Sequence, residues 1–215
     1  MADKLAVWND ALRICKERKL VALTDNREPR RLLDAAWGDG STTGSVRRCL
    51  EMGQWTWAIR TAQLDYSPSV TPSFGYTYAF DQPSDCVRVA GVFQDEYCKV
   101  PLLEYSDERR YWYCDLQTIY VQFVSSGETY GADLSLWSEM FAKTVAADLA
   151  REIVGNLTQD ERIRADVMAE WRMWKKEAAA IDAANRPTRQ LPVGSWNRAR
   201  MGNSSRDSRW DGTVV

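Results

Sequence analysis

Carboxylates close in sequence to tryptophans are the residue types in this chain that come nearest to a reaction centre. Glu51, Asp65, Asp81 and Asp85 flank Trp55 and Trp57. Two carboxyl groups can share acid and base roles across a glycosidic bond, and flat aromatic rings can carry a sugar, so these residues raise the reading of a carbohydrate-active hydrolase. Nothing in their spacing makes any two of them converge. Other reaction classes are removed more firmly. The chain has no histidine among its 215 residues, which excludes the Ser-His-Asp and Cys-His arrangements and most zinc sites. The glycine-rich run Gly38–Gly44 lacks the Gly-Lys-Ser/Thr ending of a phosphate cradle, and no EF-hand pattern occurs. No catalytic, cofactor-binding or metal-ligating residue is therefore assigned, and no enzyme is expected.

The second chemical feature is a basic, tryptophan-bearing segment at the C-terminal end. Residues 185–215 carry Arg186, Arg189, Arg198, Arg200, Arg206 and Arg209 against Asp207 and Asp211, a net charge of +4. The other 184 residues hold 22 basic and 28 acidic groups, a net charge of −6. Trp196 and Trp210 are interleaved with the arginines. Such a segment could grip phosphates and stack on bases, as a nucleic-acid-binding packaging accessory would. It could equally hold an acidic protein neighbour, with a tryptophan as buried anchor. The acidic remainder opposes broad DNA binding and favours protein docking. With Pro187, Pro192 and several Gly and Ser, the segment is too poor in apolar residues to build its own core and is expected to be an extended arm.

Ahead of that arm, the periodicity of apolar residues predicts the elements that must position any site. Leu5, Trp8, Leu12 and Cys15 fall on one face of a helix over about 4–19, with Arg18 and Lys19 at its end. A second helix starts near Pro29, which suits a first turn, and carries Leu32, Leu33, Ala36 and Trp37. Helical spacing resumes from Val46 to Met52. From Trp55 the period becomes two, with Trp55, Trp57 and Ile59 on one side of a strand. Short strands then extend to about residue 125: Phe74 to Phe80, Val87 to Phe93, and a hairpin of Tyr111–Cys114 and Ile119–Val124 around a turn at 115–117. Trp137, Phe141, Val145, Leu149 and Ile153 step by four to a stop at Gly155, with Ala142, Ala146 and Ala150 on a neighbouring stripe. Thr158 and Glu161 form a capping box for a last helix to Ala184, whose face holds Ile163, Val167, Trp174, Ala178 and Ile181.

The fold class expected is α+β: a helical bundle of N-terminal and C-terminal helices, an inserted small antiparallel β domain, and an extended C-terminal arm. The boundaries are 1–54 for the first helices, 55–130 for the β domain, 131–184 for the last helices and 185–215 for the arm. A length of 215 residues with 45% hydrophobic side chains is enough to bury a real core. The five cysteines are odd in number and lack a C-x-x-C pair, so they read as reduced, mostly buried side chains in an intracellular protein. The opening Met1-Ala2-Asp3-Lys4 does not read as a signal peptide, and no apolar run approaches the ~20 residues of a membrane span.

Several runs together resemble one known family. They are Trp8-Asn9-Asp10-Ala11-Leu12, then Leu23-Thr24-Asp25-Asn26-Arg27-Glu28-Pro29-Arg30-Arg31-Leu32-Leu33-Asp34, then Cys49-Leu50-Glu51-Met52-Gly53-Gln54-Trp55-Thr56-Trp57-Ala58 and Pro72-Ser73-Phe74-Gly75-Tyr76. Phe80-Asp81-Gln82-Pro83-Ser84-Asp85, Asp115-Leu116-Gln117-Thr118-Ile119-Tyr120 and Thr158-Gln159-Asp160-Glu161 follow in order. The set, over roughly residues 6–200, resembles the head-to-tail adaptor proteins of short-tailed bacteriophages, also called tail tubular protein A. The resemblance implies a structural virion protein, made in the host cytoplasm and located in the neck at the portal vertex. It implies a ring, dodecameric in the family, between the portal protein and a tail nozzle of the tail tubular protein B type. DNA would only pass through its channel, and no membrane or cofactor is involved. On that reading the arm clasps the portal through Arg186, Arg189, Trp196, Arg198, Arg200, Arg206, Arg209 and Trp210.

Overall fold

A computed structural model describes residues 3–39, 43–108 and 110–185. The chain divides into two units, Met1–Asn185 and Arg186–Val215, and the second lies wholly outside the described residues. The fold is α+β, with five helices and two three-stranded antiparallel sheets among the described residues. Three helices come first: α1 Lys4–Ile14, α2 Glu28–Trp37 and α3 Ser45–Glu51. Six strands follow: β1 Ile59–Asp65, β2 Tyr78–Asp81, β3 Cys86–Phe93, β4 Ser106–Glu108, β5 Tyr111–Cys114 and β6 Thr118–Ser125. Helices α4 Glu139–Leu157 and α5 Glu161–Ala184 complete it. None of these helices is long and apolar enough to cross a membrane.

Helix α4 is the hub, since α1, α2, α3 and α5 all pack on it. Its stripe Phe141, Val145, Leu149 and Ile153 is buried, and so is nearly every small residue beside it. Ala146 and Ala150 let α1 approach closely enough for the Cys15 thiol to lie 3.6 Å from the carbonyl oxygen of Ala150. On the α5 side the Thr144 hydroxyl lies 2.8 Å from the Met140 carbonyl and 3.2 Å from that of Trp174. Phe141 gathers the indoles around itself: Trp55 and Trp57 each lie 4.9 Å away and Trp137 5.0 Å, all edge-on. Trp137 then stacks on Trp37, and Trp37 meets Trp8. Five of the ten tryptophans thus join four separate stretches of chain into one aromatic core.

The sheets have their own core. The first has strand order β1-β6-β3 and the second β2-β5-β4. Ile119, Val121 and Phe123 alternate along β6 and meet Phe80, Val92 and Trp112 in a second apolar cluster, the two-residue period of a half-buried strand. Val124 points instead into the helical core. Strand β3 is bulged twice against β6, between Cys86 and Arg88 and between Val89 and Gly91.

Several expectations are corrected here. The first helix stops at Ile14, not near 19, because Lys16 takes a left-handed φ of 61°. The Glu17 amide then bonds the Leu12 carbonyl at 2.8 Å and the Lys16 amide that of Arg13 at 3.0 Å, a Schellman closure made without glycine. Arg18 and Lys19 are therefore not helical. Trp55 and Trp57 do not start a strand; Thr56–Ala58 is a 3-10 turn that delivers both rings to Phe141. Only Tyr78–Asp81 of the aromatic run is a strand, and Phe74 is 91% exposed. The hairpin expected of Tyr111–Cys114 and Ile119–Val124 is absent. Both segments are strands, but β5 is the centre of one sheet and β6 of the other, so the turn at 115–117 carries the chain between sheets. Asp115 fixes that crossing by accepting the amide and hydroxyl of Thr77, both at 2.9 Å.

Gly155 does not end the fourth helix, which continues to Leu157, and Trp137 lies ahead of it, before the Ser138 cap that accepts the Phe141 amide at 3.2 Å. The last helix is capped by Asp160, whose carboxylate accepts the Arg162 amide at 2.8 Å, and not by Thr158. Thr158 instead accepts the amide of Asp160. The loop 38–44 is described only at its ends. Gly38 (φ 66°) terminates α2, and a Cβ on Gly44 (φ 92°) would fall 1.9 Å from the Trp37 carbonyl oxygen.

Candidate functional site

Of the four carboxylates considered for acid-base work, Glu51, Asp65 and Asp85 are tied into the fold by their side chains. Glu51 pairs with Arg47 at 3.1 Å, and Asp65 accepts the Thr118 hydroxyl at 2.8 Å across the β1–β6 ladder. Asp81 is the last residue of β2, opposite Tyr111. Asp85 accepts the Ser125 hydroxyl and the Arg60 guanidinium, the latter at 2.9 Å. Burial pushes the Asp85 carboxyl up, but those two partners outweigh it and hold it below the ordinary carboxylate range. Trp55 is buried and Trp57 partly buried, and both pack edge-on against Phe141 in the helical core.

The most buried charge in the described chain is also structural. Asp148 has no exposed side-chain surface and sits between Arg48 at 3.0 Å and Arg151 at 2.8 Å. Arg48 also reaches Glu152 and the Ser45 hydroxyl, clamping α3 to α4. All five cysteines are free. Burial pushes the Cys15 thiol up to about 12 and the Cys86 thiol up to about 11, and Cys49 is raised as well by burial. These three are therefore thiols at neutral pH and poor nucleophiles. No group of three potential metal ligands occurs among the described residues.

What stands out is apolar surface left open to solvent. Helix α5 is 24 residues long, yet only Val167 and Ala178 on it are buried. Along its C-terminal half, Trp171, Met52, Trp55 and Ala179 form an apolar groove of about 280 Å³, edged by Arg172, Lys175 and Lys176. None of these three cations makes an ion pair among the described residues. Lys175 lies over the Trp171 ring at 5.2 Å, and Arg151 over the same ring at 5.1 Å, so the indole is held by cation–π contacts. Asp182 locks the end of the groove by accepting the amide and hydroxyl of Thr56, both at 2.8 Å.

A second exposed apolar surface lies in the β region. The chain between β3 and β4 folds back on itself through Gln94 amide to Val100 carbonyl and Leu102 amide to Val92 carbonyl bonds, at 3.0 and 2.8 Å. Asp95 closes the tip by accepting the amides of Lys99 and Val100. Those amides draw its carboxyl below the usual range. This preformed tip presents Leu103, 83% exposed, Tyr97, 69% exposed, and Val100. Glu96 and Glu104 are exposed beside them.

The residues assigned from sequence to partner binding, Arg186, Arg189, Trp196, Arg198, Arg200, Arg206, Arg209 and Trp210, all lie outside the described residues. The groove and the hairpin tip were not singled out from sequence. Trp171-Arg172-Met173-Trp174-Lys175-Lys176 carries the signal for the first, since aromatic and basic side chains at helical spacing mark a mixed face. The tip carried the signal of apolar residues in a turn-rich stretch. No protein-family model matches the chain, and no curated protein matches it in sequence.

Proposed function

We propose that this chain is a structural adaptor subunit of the head-to-tail type found in short-tailed bacteriophages. In this reading the helices pack side by side as a bundle around a channel, several copies close a ring, and dodecameric stoichiometry follows the family. The β region faces the tail nozzle, and the basic arm from Asn185 onward clasps the portal. The subunit performs no reaction and carries no cofactor; its work is interface formation in the virion neck. The observation that carries this reading is the apolar surface left without an internal partner. Phe74, Tyr97 and Leu103 project from the β region, and Met173 and Ile181 from a 24-residue helix packed on one side only. Large apolar side chains that a subunit leaves open to solvent are available to be buried against neighbouring subunits. The ordered series of family-like runs supports the same conclusion.

Negative-stain imaging and mass photometry of the full chain, alone and mixed with portal protein, test the proposal. A ring of uniform stoichiometry that adds to portal is expected. A monomer that ignores portal and cleaves a polysaccharide, or one that binds DNA in a salt-sensitive manner, overturns it.

A further inference from the structure

We infer that the Trp171 groove of one copy receives the hairpin tip at 94–104 of a second copy. The inference rests on the ring reading above and names the surfaces that would build it. The groove is apolar at its floor, with Met52, Trp55 and Ala179, and cationic at its edge, with Arg172, Lys175 and Lys176. The tip has the opposite net pattern: Tyr97, Val100 and Leu103 project, and Asp95, Glu96 and Glu104 outnumber the one cation among them, Lys99, which lies over the Tyr97 ring at 5.4 Å. A projecting apolar tip of net negative charge and an apolar groove edged by ammonium and guanidinium groups are complementary in shape class and in net charge.

Other occupants fit less well. The groove does not pair with itself across a two-fold axis, because that would bring like charges together. The chain's own residues 186–215 carry net +4, the same sign as the three groove cations, and so lack the charge complementarity that the tip has. The tip also needs no folding on binding, since its backbone bonds and the Asp95 carboxylate already hold it, which keeps the ordering cost low. A contact between two different patches of the same chain is heterologous, so it propagates and closes as a ring when the rotation permits.

Charge reversal in the full-length protein tests the contact. Lys175→Glu with Lys176→Glu in one variant, and Glu96→Lys with Glu104→Lys in a second, are each expected to weaken self-association at least tenfold by mass photometry. All four side chains are exposed, and the contacts of Lys175 with the Trp171 ring and of Glu96 with Tyr97 lie at the surface, so the thermal midpoint by circular dichroism moves by no more than about 2 °C. Mixing the two variants, or combining all four changes in one chain, restores association. Leu103→Ser weakens association without restoring salt sensitivity of its own. Rings that form unchanged in the single-patch variants, or a four-fold variant no better than either parent, overturn the contact while leaving the adaptor reading intact. Loss of DNA retention with rings unchanged assigns the groove to phosphates and also overturns it. A chain that stays monomeric at every concentration, with portal and without it, overturns both readings.

Discussion

Phe141 shows how one side chain can hold several distant stretches of sequence together. It is fully buried and touches Trp55, Trp57 and Trp137 with its ring edge-on to theirs. Each such pair adds to the burial of apolar area. Replacing Phe141 by Ala removes all three contacts and leaves a cavity, and is expected to cost about 3–5 kcal/mol in urea unfolding. Asp85 provides a pH-dependent tie. Its carboxyl is held below the ordinary value in the folded protein by Ser125 and Arg60, despite burial. A depressed folded value means the stabilisation is complete above the unfolded value of about 4. It is lost as pH falls through the lower folded value. Asp85→Asn should therefore be less stable than the parent at pH 7, and the gap in thermal midpoint should close as pH drops below about 4. A constant gap across that range would show that the carboxylate charge is not what matters.

At the scale of elements, two glycines of similar appearance in sequence have opposite roles. Gly44 enters α3 at φ 92°, where an added Cβ would fall 1.9 Å from the Trp37 carbonyl oxygen. Gly44→Ala meets both a forbidden backbone region and a steric clash, and is expected to destabilise by at least about 2 kcal/mol. Gly155 is inside α4, with open space where a Cβ would stand. Gly155→Ala should raise stability by about 0.5–1 kcal/mol, through the unfolded chain's lost freedom. Comparing the two variants by chemical denaturation checks the pair. Reading Gly155 as a helix stop from sequence overvalued glycine, because the α4 end is set by the extended Thr158 and by the Arg164 side chain bonding the Thr158 carbonyl. The converse error occurred at α1, where Lys16 closes the helix in a conformation glycine usually supplies.

For the whole molecule, the division of charge makes a separable prediction. Both apolar cores lie within the first unit, between Val7 and Ala178. A chain ending at Asn185 should keep the parent's thermal midpoint within about 2 °C and lose capture by portal protein in a pull-down. An equal loss of folding would mean that the basic segment contributes to the body, and retained capture would remove the arm from the portal interface. Salt should also weaken subunit association if charged rims guide it, because exposed pairs are screened beyond roughly 8 Å at physiological ionic strength.

The sequence by itself determined the helix stripes, the change to a two-residue period, the missing histidine chemistry and the opposite net charges of residues 1–184 and 185–215. Those properties are local: the period of apolar side chains follows from backbone geometry, and charge is additive along a chain. The structure alone decided which strands pair and which surface is left over. The residues Tyr111–Cys114 and Ile119–Val124 read as neighbours in one hairpin, yet each is the central strand of a different sheet. Either arrangement satisfies the same alternation, and the choice depends on β1 and β3 competing for both edges of β6. The same holds for the tryptophans. Trp55 and Trp171 are both amphipathic aromatic residues in sequence, but Phe141 takes up one indole while the other remains half-buried beside three cations. Which indole becomes core and which stays half-buried at the surface is settled by the packing of segments far apart in the chain, and no spacing along the chain encodes it.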